Sequence, residues 1–193
     1  RSNVLLNPPE ASSEDEGYVL FVGRLSEEKG IGVLIDTWKK LNGIPLKIVG
    51  DGPMRELVEN QIGGQKGVEL LGFLPWEKTL EMMQNCRLLV LPSICYEGFP
   101  LTLREIMACG KPVIASDLGA MSEIVRHEHT GILFPVGHSE AFAREISSLS
   151  DDPARCRHLG KNARDVFEKE YEAEVNYQRL LDIYGQADLD ART

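Results

Sequence analysis

The sequence predicts an α/β fold: an open, doubly wound, mostly parallel sheet of about six strands with helices on both faces and a helical C-terminal tail. Three observations predict it. From residue 18 to about residue 138, apolar runs of four to six residues alternate with amphipathic stretches of 10 to 14, the pattern of repeated strand and helix units. Beyond residue 138 only helical patterns remain. The 193 residues are 42% hydrophobic and 26% charged, with 18 Gly and 10 Pro; this is enough for a domain-sized core and excludes collagen-like, coiled-coil and wholly disordered chains.

Residues 1–17 hold two adjacent prolines followed by Ser, Asp and Glu, the composition of a linker or lead-in, so the domain is expected to occupy 18–193. Strands are expected at 18–22, 46–49, 68–72, 87–91, 112–116 and 132–134. The first helix, 31–41, puts Ile31, Leu34, Ile35, Trp38 and Leu41 on one face and leaves Lys39 and Lys40 outside. Helices at 53–62 and 76–84 follow, the first opened by Pro53, whose missing N–H costs nothing at a helix start. A helix at 100–109 is stopped by Gly110, which accepts the left-handed cap, and by Pro112, which cannot continue a helix. The tail carries helices at 139–149, 153–168 and 173–186, the second entered through Asp152 as N-cap and Pro153 as first helical residue. In such a sheet the ligand crevice lies beyond the C-terminal ends of the strands.

Composition narrows the partners. A net charge of −9 without a visible basic stripe argues against a nucleic acid, and no apolar run approaches the roughly 20 residues of a membrane span. Cys86, Cys95, Cys109 and Cys156 have neither a C-x-x-C pair nor zinc spacing and read as reduced, mostly buried thiols of a cytoplasmic protein. His127 and His129 lie in a turn without nearby Cys or paired carboxylates, so no metal is expected. The chain starts at Arg1, without Met or a signal peptide, which suggests a piece of something longer.

The loops after the strands carry the chemistry. VGRLSEEKG places Gly23, Arg24 and Lys29 at the end of the first strand, and it is neither a P-loop nor a dinucleotide fingerprint. Two readings stay open for Arg24 and Lys29: neutralising a diphosphate, or compensating Glu27 and Glu28. In VGDGP, Gly50 and Gly52 serve either a tight strand-to-helix turn or close approach to a ligand. After the fourth strand, Glu97 lies in a loop and Glu105 inside the following helix, eight positions on. That helix, starting at Pro100, offers the N–H groups of Leu101, Thr102 and Leu103 to an anion, and Gly98 lets the loop come close. The helix is largely apolar, so Glu105 needs a partner: a ligand hydroxyl pair, or a cation such as Arg104. Trp38, Phe73, Trp76 and Phe99 are expected in the core rather than as stacking platforms, although Phe73 and Phe99 stand where strands end.

Taken together, VGRLSEEKG, IVGDGP, VELLGFLP, EGFPLTLREIMACGKPVIAS and EIVRHEHTGILFPVG resemble the C-terminal, donor-binding domain of the glycosyltransferase group 1 family, retaining enzymes of the GT-B fold. The resemblance runs from about residue 17 to about residue 180, and its most specific element is the spacing of Glu97 and Glu105. It implies one Rossmann-like half of a GT-B enzyme that moves a sugar from a nucleotide-diphosphate-sugar to an unknown acceptor, with no cofactor and no metal. It further implies that Arg24 and Lys29, beside Gly23, hold the diphosphate and that Glu97 touches the sugar hydroxyls. The segment Gly98, Phe99, Pro100, Leu101 and Thr102 would meet sugar and phosphate, Glu105 the ribose, and the backbone of Gly72, Phe73 and Leu74 the base. The family often has a second glycine where this sequence has Ala120, and its N-terminal acceptor-binding domain has no counterpart here. The chain alone is therefore expected to be inactive, and any membrane contact is expected through that missing half. Two alternatives are a non-catalytic nucleotide-sugar-binding module and a GT-B-fold nucleotide-sugar epimerase.

Overall fold

A computed structural model describes residues 8–12, 14–98, 100–172 and 177. Six strands form one sheet: β1 (Val19–Val22), β2 (Leu46–Val49), β3 (Val68–Gly72), β4 (Leu88–Leu91), β5 (Val113–Ser116) and β6 (Gly131–Phe134). Their order is β3-β2-β1-β4-β5-β6, and every pairing is parallel where the sequence suggested mostly parallel. The chain winds outward from β1 to β3, then returns to the other side of β1 to lay down β4, so strand order reverses between β1 and β4. A doubly wound sheet opens its crevice at such a reversal.

The helices are α1 (Ile31–Trp38), α2 (Arg55–Gln61), α3 (Trp76–Asn85), α4 (Leu101–Ala108), α5 (Ala120–Ile124), α6 (Ser139–Ser150) and α7 (Pro153–Glu170). Residues along each strand alternate between two apolar layers. Val19, Phe21, Ile48, Val90 and Ile114 pack against α1, α2 and α6. Leu20, Leu89, Val113 and Ala115 pack against α3, α4 and α5. Helix α7 serves both layers: Cys156 and Leu159 join the first, Ala163, Val166 and Phe167 the second. It therefore closes the edge of the domain, entered as expected through Asp152, whose carboxylate accepts from the Arg155 N–H.

Helix limits differ from the sequence reading by one to three residues, and Pro53 lies two residues before α2 instead of inside it. Helix α5 and a 3-10 turn at Glu27–Lys29 were not expected. The tail helix expected at 173–186 lies, Tyr177 aside, outside the described residues. The lead-in is docked along its described length: Ser12 N–H donates to Cys109 O and Glu16 N–H to Asn85 O, and Asp15 pairs with Arg87 at 3.0 Å. The four cysteines are free, and three are buried, Cys95 being half-buried. Among the described residues no helix is long and apolar enough to cross a membrane.

Candidate functional site

Two recesses open above the C-terminal ends of the strands. The smaller, about 260 Å³, lies over β1 and β4 and is lined by Lys29, Ser93, Glu97 and Pro100 among others. The larger, about 430 Å³, extends over β2 and is lined by Arg24, Asp51, Phe73, Leu74, Trp76 and Glu105 among others. Gly23, Leu101 and Thr102 line both, so they form one cleft that bends around the start of α4.

The floor is built by backbone packed on backbone. Gly23 N–H donates to Val49 O, Gly50 N–H to Gly72 O, Leu25 N–H to Asp51 O and Met54 N–H to Leu25 O, which zips the loops after β1, β2 and β3 together. Gly50 sits at φ +137°, and a Cβ there would stand 1.8 Å from the Gly23 carbonyl. The VGDGP glycines thus serve the backbone geometry of the turn, and they do so by close approach of main chain to main chain, Gly50 on Gly23 and Gly52 on Leu25. Gly30 acts likewise on the other side: at φ +71° its missing Cβ would strike the Pro92 carbonyl, and Ile94 N–H donates to Glu28 O beside it. This contact presses the Glu27–Lys29 turn against the loop after β4 and sets Lys29 opposite Glu97.

Lys29 Nζ lies 2.6 Å from Glu97 Oε2, and Ser93 Oγ donates to Glu97 Oε1 at 2.5 Å. The Lys29 side chain is thus tied across the cleft and not to Glu27 or Glu28. Arg24 is exposed and, among the described residues, has no ion-pair partner. The Glu28 carboxyl is held below the usual carboxylate range, first by its own backbone amide, with Arg24 and Lys29 adding to it. At the other end, Trp76 Nε1 donates to Glu105 Oε1 at 3.4 Å, a neutral partner that neither sequence alternative for this carboxylate named.

Leu101 and Thr102 open α4 toward the cleft, but Leu103 N–H already donates to Pro100 O at 3.0 Å. Two amides, not three, remain before the intrahelical ladder begins. Gly72, at φ +67°, and Gly98 line neither recess; the first serves the floor through its carbonyl. Phe99 lies outside the described residues. Trp38 is core as expected and Trp76, half-buried, packs on the core while its other side lines the larger recess, but Phe73 is 75% exposed, so the core assignment fails for it. A strand end that faces a cleft has nothing above it to bury a ring.

A family model described as glycosyl transferases group 1 matches residues 6–166. The chain belongs to that family. It is 34% identical over 163 residues to an uncharacterized glycosyltransferase of Methanocaldococcus jannaschii, covering 81% of this chain and 42% of that protein. The crystal structure of the Anabaena protein HepE in complex with UDP superposes with a TM-score of 0.80 at 26% identity, covering 88% of this chain and 49% of that one. Sucrose-phosphate synthase from Thermosynechococcus elongatus gives a TM-score of 0.78 at 30% identity, with coverages of 92% and 47%. The chain spans about half the length of these relatives. Its sheet is one Rossmann-like half of the GT-B fold.

In this glycosyltransferase group 1 domain the structure thus brings Gly23, Arg24, Lys29, Phe73, Leu74, Glu97, Pro100, Leu101, Thr102 and Glu105 to one cleft. Sequence reasoning missed Ser93 and, placing Trp76 with the core on which it packs, missed its second role at the cleft. Ser93 stands four residues before Glu97 at the end of β4, so its position was a signal; the indole bond of Trp76 spans 29 residues and left none.

Proposed function

We propose that this chain is the C-terminal, donor-binding half of a retaining glycosyltransferase that transfers a sugar from a nucleotide-diphosphate-sugar. The observation that carries the proposal is the bent cleft itself. It has two cations at the reversal of strand order, a helix start at the bend and one hydrogen-bonded carboxylate on each side. Its likeness to HepE, a protein solved with UDP and with UDP-glucose, supports the same ligand class here.

In this reading the diphosphate lies between Arg24 and Lys29 and the amides of Leu101 and Thr102, where donors already in place stabilise charge as the sugar–phosphate bond breaks. Lys29 then divides its donors between Glu97 and phosphate, and Ser93 keeps the Glu97 carboxylate aimed at the sugar hydroxyls. Glu105 accepts from the ribose, and the base lies beside Phe73 and Leu74. No side chain of the cleft is placed as a covalent nucleophile, so the acceptor attacks from the face the leaving group vacates. Leaving-group stabilisation needs no metal in this scheme. The acceptor would be held by a second domain of comparable size, without which the chain binds donor and does not turn over, and the enzyme would work in the cytoplasm.

Calorimetry with UDP, GDP, ADP and their sugars tests this. One nucleotide series should bind, and Glu105→Ala and Lys29→Ala should each weaken it by roughly tenfold, about 1.4 kcal/mol, with unchanged circular dichroism. Absence of binding by every nucleotide at millimolar concentration would sink the proposal. A longer form with both halves that binds donor and acceptor without turnover would leave a binding module in its place.

A further inference from the structure

The N-terminal ends of the strands carry a second concavity, about 330 Å³, on the side of the sheet away from the cleft. Its walls are the docked lead-in, the start of β4, the turn between α4 and β5, and α7. In a chain of net charge −9 it is lined by five cations, Arg87, Lys111, Arg157, Lys161 and Arg164, and by one carboxylate, Asp15. Two of the cations are matched by carboxylates: Arg87 by Asp15 at 3.0 Å and Arg164 by Glu168 at 2.6 Å. The other three are not. Lys111 is 4% exposed, and its ammonium donates to the Glu14 carbonyl at 2.5 Å, a neutral acceptor that takes one of its three donors. Arg157 and Lys161 stand one turn apart on the exposed side of α7 and, among the described residues, have no ion-pair partner.

Arg157, Lys161 and Arg164 follow one another at i, i+4 and i+7, so they share one face of α7, the face that looks across the pocket at Lys111 and Arg87. A basic stripe was not expected from the sequence; the fold assembles it. The Glu14 carbonyl takes one donor of Lys111 but supplies no countercharge. A buried ammonium faced across the pocket by an exposed guanidinium and an exposed ammonium suits a small polyvalent anion with oxygens on several sides.

We propose that this pocket is a second anion site that takes a phosphoryl or diphosphoryl group, held by Lys111, Arg157 and Lys161, independently of the cleft above the strands. The test is a 1H–15N NMR titration of the chain with pyrophosphate, read at the amides of Gly110, Lys111, Arg157 and Lys161, which lie far from the cleft residues. Saturable shifts at these four amides are expected at millimolar concentration or below. Arg157→Glu with Lys161→Glu should weaken them by roughly tenfold or more while binding of a nucleotide in the cleft is unchanged. If charge reversal disturbs the fold, Arg157→Gln with Lys161→Gln carries the same test. Flotation with phosphatidic acid vesicles against phosphatidylcholine vesicles separates the sources: capture by the first alone assigns the site to a lipid headgroup, and no capture assigns it to a soluble phosphate. Equal shifts from chloride at matched ionic strength, or no shifts at these amides, would overturn the proposal.

Discussion

The two ends of this sheet use charge in opposite ways. Above the C-terminal ends, charged groups meet each other across open space: Lys29 reaches Glu97, while Arg24 and Glu105 border the same cleft. Below the N-terminal ends, the cations reach main chain as well as carboxylates. Arg164 donates to the carbonyls of Pro9 and Ala108, Lys111 to that of Glu14, and Arg87 to that of Ser150. A carbonyl held by a cation cannot be exchanged for a ligand without loosening the chain, whereas a charge pair at a cleft can share itself with a substrate. The lower end therefore commits Arg87, Arg164 and one Lys111 donor to holding the fold and its lead-in, and has only Arg157, Lys161 and the remaining Lys111 donors to offer a ligand, whereas the charges of the upper end are all at the cleft.

The largest effect is expected where the upper end is itself rigid. Gly50→Ala should cost about 3 kcal/mol of unfolding free energy, because the site combines a φ of +137° with a Cβ position 1.8 Å from the Gly23 carbonyl. Urea unfolding measures it. Loss of nucleotide binding should accompany it, since Gly23 lines both recesses. A mild effect would mean that the cleft floor is pliable and that the two ends differ less in rigidity.

Arg164→Ala sharpens the comparison. It removes the donors to Pro9 and Ala108 and the ion pair to Glu168, and should lower stability by about 2 kcal/mol with nucleotide affinity unchanged. Lys29→Ala should do the reverse. Its pair with Glu97 is partly exposed and is worth at most about 1 kcal/mol, while the loss shows in binding. If Arg164→Ala alters nucleotide affinity as much as stability, the two ends are not separable.

How far the sequence carried the reading follows the same division. Periodicity and stop signals placed all six strands and the α4 boundary at Gly110, because those signals are local. Glu97, Glu105, Arg24 and Lys29 were legible as candidates through their positions at strand ends. Their mutual arrangement was not: Lys29 and Glu97 are 68 residues apart, and the packing of Gly30 on Pro92, with the hydrogen bond from Ile94 N–H to Glu28 O, brings them together. Helix α5 has five residues and the turn at Glu27–Lys29 three, too short for a 3.6-residue period to register. The lead-in read as a linker because main-chain amides and carbonyls carry most of its attachment and leave no trace in side-chain type, and the partner of its one half-buried carboxylate, Asp15, is 72 residues away. The basic pocket was hidden for a related reason. Its five cations are spread over 78 positions, and residues 140–193 hold 12 acidic against 8 basic side chains, which masked the basic face of α7.

The smallest effect is a pH dependence that belongs to the lower end. Burial pushes the thiol of Cys109 up to about 12 and that of Cys156 up to about 11, from an ordinary value of 9.0, and raises Cys86 in the same direction. Between the ordinary and the raised values the folded chain holds protons that the unfolded chain has lost, so stability is full below about pH 9 and falls as pH rises above it. Lys111 opposes this. Burial lowers its pKa below 10.5, so the unfolded chain binds more protons there and stability rises toward that value. Three thiols against one ammonium should leave a net loss, read as a decline in the urea midpoint from about pH 8 to about pH 10. Cys156→Ala should flatten part of that decline without touching nucleotide affinity. Pyrophosphate in the pocket should hold Lys111 protonated and steepen the decline, which ties the alkaline lability of the lower end to the anion it is proposed to bind. An unchanged slope with pyrophosphate present would show that Lys111 does not face the bound group.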